Sequence, residues 1–429
     1  MKLQKPKGTA DLLPQDMAKW QYIETMARAV FEDYNFQEIR TPMFENYELF
    51  SRATGETSDI VTKEMYDFMD KGDRHVALRP EGTASTVRAY VENKLFAPEI
   101  PKPVKMYYIG SMFRYERPQS GRFREFHQLG VECFGMKNPA VDVEVMAMAK
   151  NFFDTVGITG VTLHLNSLGD SDSRAAYRQA LIDYLTPFEA ELSEDSKRRL
   201  HENPLRVLDS KEEADKKIVA DAPSILDYLS EESEAYFSSV RQQLEALSID
   251  YVIDTNMVRG LDYYNDTIFE FIVNIKGQEL TVCAGGRYDG LVEYFDGPET
   301  PAFGFGLGLE RLLMIAEQQE VNFLPAEPLD VYIAVMGDAA TVVASQLTES
   351  LRRQAYKVER DFSNRKLAKQ FQSAEKLAAE LVITLGDNEA ETGNIKVKHN
   401  RTRKEVETTI SAVSNDFSPI FEALLINED

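Results

Sequence analysis

Cysteine is nearly absent from this 429-residue chain. Cys133 and Cys283 stand 150 positions apart, which gives neither a disulfide frame nor the paired thiols of a zinc knuckle. The five histidines, His75, His127, His164, His201 and His399, show no HxxxH or HExxH spacing, so the common zinc motif is excluded and no metal-binding residue is expected. No window approaches the ~18 uninterrupted apolar residues that a membrane span requires, and the opening MKLQKPKGTADLLPQD lacks the apolar stretch of a secretion signal. The expectation is a cytoplasmic protein with no membrane contact. A GxxxxGK phosphate loop is missing, and the glycines at 304, 306 and 308 do not make GxGxxG, because Leu309 stands where a third glycine is needed. Positive charge is also scarce. Lys and Arg number 48 against 71 Asp and Glu, a net charge of -23 that repels phosphate at long range. Any nucleic-acid contact must therefore come from local basic patches.

What is present points to a well-packed globular chain of two or three folded units, with 43% hydrophobic residues. From Pro14 to Tyr34, Met17, Trp20, Ile23, Met26, Ala27, Val30 and Phe31 recur at helical spacing. The following β-formers end at Pro42, a position suited to a strand end or edge. Residues 104 to 114 and 126 to 135 read as two strands, joined by a polar hairpin loop with Pro118 and Gly121. Residues 161 to 167 read as another strand. From 170 to 250 the pattern becomes charged and helical, with 19 acidic and 10 basic residues, and a solvated face accounts for the charge. Strand character returns after 251 and again around 279 to 287. Two prolines in FLPAEPLD, residues 323 to 330, mark a linker. Beyond it, strand and helix alternate as in a parallel α/β unit, with helices near 339 to 355 and 365 to 379.

The richest chemistry lies in FRYERPQSGRFREFHQLGVE, residues 113 to 132. If the first strand continues through it, Arg114 and Glu116 share a face, and Arg114, Arg117, Arg122 and Arg124 offer planar forks to phosphate. On spacing alone, an ordinary charged hairpin fits as well. RGLDYY brings Arg259, Asp262, Tyr263 and Tyr264 together, which suits a polar substrate or a turn with core tyrosines. Alternate glycines at 304 to 308 would let a flat ligand or another backbone approach the sheet, with Arg311 projecting from the next helix. Glu81 and Glu132 could be substrate-binding acids or surface pairs. Two basic windows stand out: residues 352 to 376 hold 8 basic and 3 acidic side chains, and residues 396 to 404 hold 5 basic and none acidic. Either window could be a solvated face or a surface for RNA.

The string at 113 to 132 resembles the second signature motif of class II aminoacyl-tRNA synthetases, most closely that of the histidyl-tRNA synthetases. Others follow in family order: KGTADLLP and the helix ending towards Pro42, RPEGT at 79 to 83, RGLDYYNDTIFE, AGGRYDGL and FGFGLGLERLL. The resemblance implies an α+β catalytic domain over 1–325, built on a mostly antiparallel sheet flanked by helices, with a helical insertion at about 170–254. A C-terminal α/β anticodon-binding domain would occupy 329–429. It further implies ATP as substrate with Mg²⁺, L-histidine, histidine tRNA engaged at acceptor end and anticodon, and a homodimer. By the same resemblance, Arg114 and Arg259 act on the reacting carboxylate and α-phosphate, while Arg122 and Arg311 hold the distal phosphates. Phe126 would stack on adenine and Glu116 would meet its amino group. Glu81, Gly82, Thr83, Gln128 and Glu132, with Arg114 and Arg259, would hold histidine beside Tyr263, Tyr264 and the pocket wall Tyr288. Arg117, Gln119 and Arg124 would reach the RNA. A rival resemblance is to a regulatory subunit of ATP phosphoribosyltransferase, which binds histidine without charging tRNA. The intact Arg114, Arg259 and Arg311 and the α/β domain argue against it.

Overall fold

A computed structural model describes residues 3–55, 60–117, 121–259, 263–323, 328–363 and 365–425. The chain forms two compact units, Met1–Leu324 and Pro325–Asp429.

In the first unit, eight strands among the described residues make one sheet, in the spatial order Gln37–Glu38, Val104–Phe113, Glu125–Phe134, Ala302–Gly308, Gln278–Arg287, Asn265–Ile275, Val161–Ser167 and Tyr251–Ile253. Every pairing is antiparallel except those of the two short edge strands. Side chains alternate along a strand, and this decides which face is core. Leu129, Val131 and Cys133, with Phe303, Phe305 and Leu307, turn into the main apolar cluster. There they meet Trp20, Ile23, Ala27, Val30 and Phe31 of the helix Pro14–Asp33. The even-numbered residues Gln128 and Glu132, and the glycines 304, 306 and 308, are thereby left on the opposite face.

Three features go beyond the sequence reading. The helix Pro139–Val156 covers the sheet, opened by Asn138 accepting from the Ala140 amide at 2.9 Å and closed by left-handed Gly157. A small antiparallel sheet joins Phe44–Asn46, His75–Leu78 and Tyr66–Met69. Within the charged region, the helix Glu231–Ala246 sends Phe237, Val240 and Leu244 into the main core, and Tyr251–Ile253 joins the sheet. The segment from Ser171 to Tyr228 packs instead around a second cluster that includes Tyr177, Leu181, Leu200 and Val207.

In the second unit the sheet runs Val358–Arg360, Val331–Met336, Leu381–Gly386, Asn394–His399 and Glu405–Thr409. The first three strands are parallel, as expected, and the last two add an antiparallel hairpin. That hairpin contains the basic window 396 to 404. Helices Asp338–Arg353 and Leu367–Lys376 pack against the sheet.

Candidate active site

The bare face of the large sheet carries a hollow of about 240 Å³ lined by Arg114, Glu116, Arg122, Phe126, Gln128 and Arg311, among others. The strand expected to continue through Arg114 ends at Phe113, so period-2 alternation does not bring Arg114 and Glu116 together. The loop does. The Arg114 amide donates to Arg124 O at 2.9 Å and the Glu116 amide to Arg114 O at 2.7 Å. Glu116 then lies 4.0 Å from the Arg114 guanidinium and 3.3 Å from that of Arg122. Arg114 also sits over the Phe126 ring, 5.3 Å from its centroid, and donates to Pro80 O at 2.8 Å. Across the hollow, Arg311 donates to Thr281 O at 2.6 Å. Burial, and then repulsion from Arg122, lower its pKa. Three guanidiniums, two of which repel each other, outnumber the carboxylates of Glu116 and Glu310 in this lining, which describes a place made for an anion.

The glycine strand has a reason different from the one expected. A Cβ at Gly304 would collide with the Glu132 carboxylate and the Val131 carbonyl, and one at Gly306 would lie 2.5 Å from Gln128 Nε2. These positions make room for side chains of the neighbouring strand. Only Gly308 faces open space.

Next to the hollow, a second group of residues surrounds Glu132. This carboxylate is buried, accepts from the Tyr288 hydroxyl on one oxygen, and has the Tyr108 hydroxyl 3.4 Å from the other. Burial raises its pKa to about 8 despite these donors. Tyr263, Tyr264 and Tyr288 pack ring against ring, with Tyr263 4.7 Å from Tyr264 and 5.7 Å from Tyr288. Gln128 Oε1 is buried with no hydrogen-bond partner among the described residues. Glu81 is buried too, and its oxygens accept from the amides of Thr83 at 2.6 Å and Ala84 at 2.9 Å, at the start of the helix Thr83–Glu92. Gly82 beside it leaves the space that the Tyr108 ring occupies.

Arg259 pairs with Glu270 and lies 5.3 Å from the Tyr264 ring centroid. Thr281 donates to the other Glu270 oxygen at 2.9 Å. A connected chain thus runs from Arg259 through Glu270 and Thr281 to Arg311. Tyr108 and Glu270 were not singled out in the sequence, because they sit in strands whose other residues are ordinary β-formers. Arg124 is placed outside the hollow, stacked over Tyr115 at 3.7 Å. Arg117 is exposed in the same loop. Gln119 and Asp262 lie outside the described residues. His127 is a packing residue: it contacts Trp20 edge-on and bonds Glu310 at 2.9 Å. No cluster of three or more His, Cys, Asp or Glu residues suited to a metal occurs among the described residues.

Comparison with known proteins gives concordant results. The family model of histidyl-tRNA synthetase matches residues 8–312, and that of the anticodon binding domain matches residues 330–418. A histidine–tRNA ligase of Lactococcus lactis subsp. cremoris is 74% identical over 428 residues, covering 100% of both chains. One from Streptococcus pneumoniae is 65% identical over 424 residues, covering 99% of both. Among solved structures, the apo histidyl-tRNA synthetase of S. aureus superposes with a TM-score of 0.83 at 40% identity, covering 96% of this chain and 99% of that one.

Proposed function

The chain belongs to the histidyl-tRNA synthetase family, and on that premise we propose that it joins L-histidine to histidine tRNA in two steps. The histidine carboxylate attacks the α-phosphate of ATP, pyrophosphate leaves, and a hydroxyl at the tRNA 3′ end attacks the resulting histidyl-adenylate. The observation that supports this most is the 74% identity, end to end, with a curated histidine–tRNA ligase. The regulatory-subunit reading has no comparable support.

The nucleophile is already an anion at neutral pH, so the protein's work is positioning and charge neutralisation. We assign Arg114 and Arg259 to the carboxylate and α-phosphate, and Arg122 and Arg311 to the distal phosphates. Phe126 stacks on adenine and Glu116 meets its amino group. Mg²⁺ keeps several waters and takes only one or two carboxylates beside phosphates, which suits a site without a metal cage. Glu310, which lines the hollow next to Arg311, would hold it, and the ion would supply charge neutralisation to the phosphates. At the other end, Glu132 and the unpartnered Gln128 Oε1 offer partners to an imidazole, and Glu81 with Thr83 takes the ammonium. Tyr263, Tyr264 and Tyr288 enclose the ring. A site built to satisfy both imidazole nitrogens rejects analogues lacking them by roughly 10⁴ to 10⁵ without editing. Arg117, Gln119 and Arg124 reach the tRNA acceptor end, and the second unit takes the anticodon, where bases are read as single strands.

We assign a homodimer as the working form. Phe44 and Phe68 form an exposed aromatic cluster on one face of the small sheet, 59% and 48% exposed. Such a cluster marks a protein interface. No helix among the described residues is long and apolar enough to cross a membrane, and we place the enzyme in the cytoplasm, where its tRNA is. The direct test is aminoacylation of a histidine tRNA transcript with labelled histidine. Charging of that tRNA, and of no other, is expected; absence of charging would overturn the reading.

A further inference from the structure

A second hollow, of about 310 Å³, opens between the helix Ser171–Leu185, the turn Pro204–Val207 and the segment carrying Arg259. Four arginines line it, Arg174, Arg178, Arg206 and Arg259, and no carboxylate does among the described residues. Arg174 donates to Tyr264 O at 3.0 Å and Arg206 to Arg259 O at 3.0 Å. Each guanidinium has five N–H donors, and a single bond to a neutral carbonyl leaves the charge uncompensated. Arg178 is exposed and makes no hydrogen bond or ion pair among the described residues. Arg259 is already paired with Glu270, so Arg174, Arg178 and Arg206, with no carboxylate among the described lining residues, make the hollow positive in a chain of net charge -23.

We propose that this hollow is a phosphate-binding subsite, distinct from the nucleotide hollow, and that its occupancy is coupled to histidine binding. The coupling has a physical carrier. Arg206 grips the carbonyl of Arg259 and Arg174 that of Tyr264, two residues assigned above to the reacting groups and to the histidine pocket. An anion drawing on the remaining donors of these two arginines fixes their guanidiniums, and with them the backbone at Arg259 and at Tyr264. Two sources carry the chemistry: a phosphodiester of the tRNA 3′ arm, or the pyrophosphate released in the first step.

The subsite rests on the reading of the chain as a tRNA-charging enzyme, so histidine-dependent pyrophosphate exchange by the parent is measured first; its absence would fault that reading and not the subsite. The test variant is Arg178→Glu, compared with the charge-matched exposed variant Lys276→Glu. Melting temperatures confirm that both fold. If RNA is the source, R178E raises the KM for tRNA roughly tenfold, as for loss of a charge-assisted contact, and lowers the salt slope of tRNA binding by about 1, with the KM for pyrophosphate unchanged. If pyrophosphate is the source, its KM in exchange rises instead and tRNA binding is unaffected. A second variant, Arg174→Lys, keeps the charge but not the fork, and removes the effect of the anion on histidine affinity measured by titration with and without tRNA or pyrophosphate. R178E behaving as K276E towards both ligands, or histidine affinity in the parent indifferent to both, would overturn the proposal.

Discussion

Both oxygens of the Glu132 carboxylate face tyrosine hydroxyls, and burial still lifts its pKa to about 8. An acid whose folded pKa lies above its unfolded value stabilises the fold fully below the unfolded pKa, and that stability is lost as pH rises through the folded value. For Glu132 the window runs from about pH 4.5 to 8. Glu132→Gln, which cannot ionise, should flatten the fall of the melting temperature of the ligand-free protein across that window. The same variant should raise the KM for histidine by roughly 10- to 100-fold, the cost of a hydrogen bond to a charged group. A histidine KM equal to that of the parent would remove Glu132 from the pocket. Arg259→Ala should slow adenylate formation by roughly 10² to 10³, the usual cost of one preorganised donor, and unchanged activation in rapid-quench measurements would take it out of the mechanism. At this scale the motifs point to Glu81, Arg114, Gln128, Glu132, Arg259 and Arg311, and the structure gathers them on and beside the bare sheet face. Tyr108 and Glu270 escaped because a tyrosine or a glutamate in a strand has many ordinary uses, and only the tertiary packing shows which neighbours it meets.

Two strands side by side, Glu125–Phe134 and Ala302–Gly308, make the site floor, and their register sets Gly304 opposite Glu132 and Gly308 opposite Gln128. Gly304→Ala must push aside both a carboxylate and a backbone carbonyl, so it should cost about 1–3 kcal/mol in denaturant unfolding and weaken histidine binding with it. Gly308→Ala, which meets nothing, should leave stability within about 0.5 kcal/mol of the parent. Equal destabilisation by the two would contradict the packing account. The long strands and the opening helix were readable because their apolar spacing is regular and one-sided. The helix Pro139–Val156 was not singled out, although Val143, Val145, Met146, Met148, Ala149, Phe152, Phe153 and Val156 are buried and Glu144, Lys150, Asn151 and Asp154 mark its open face at helical spacing. The small sheet has strands of three or four residues, too short for alternation to register. In the second unit, the basic window at 396 to 404 reads equally as a solvated face or a surface for RNA, and part of its charge is paired, Lys396 with Glu405 and Glu407 and Arg403 with Glu375. Charge counting along the chain cannot see such partners, which arrive from the adjoining strand and from a distant helix.

For the molecule as a whole, the exposed phenylalanines of the small sheet are where the proposed dimer is tested. Replacing Phe44 with Asp and Phe68 with Glu should weaken self-association at least roughly tenfold in sedimentation experiments, as expected for aromatic anchors at an interface. A parent that sediments as a monomer would remove the dimer from the account. The two-unit organisation accompanies a linker signal that the prolines of residues 323–330 made visible, whereas the packing of Glu231–Ala246 into the main core depends on contacts far apart in the chain. The central claim is that the bare sheet face activates histidine and no other amino acid. It is tested most directly by ATP–pyrophosphate exchange with each of the twenty amino acids in turn, before any tRNA is added. Exchange with histidine alone is the predicted result; exchange with a different amino acid, or none with histidine, would contradict it.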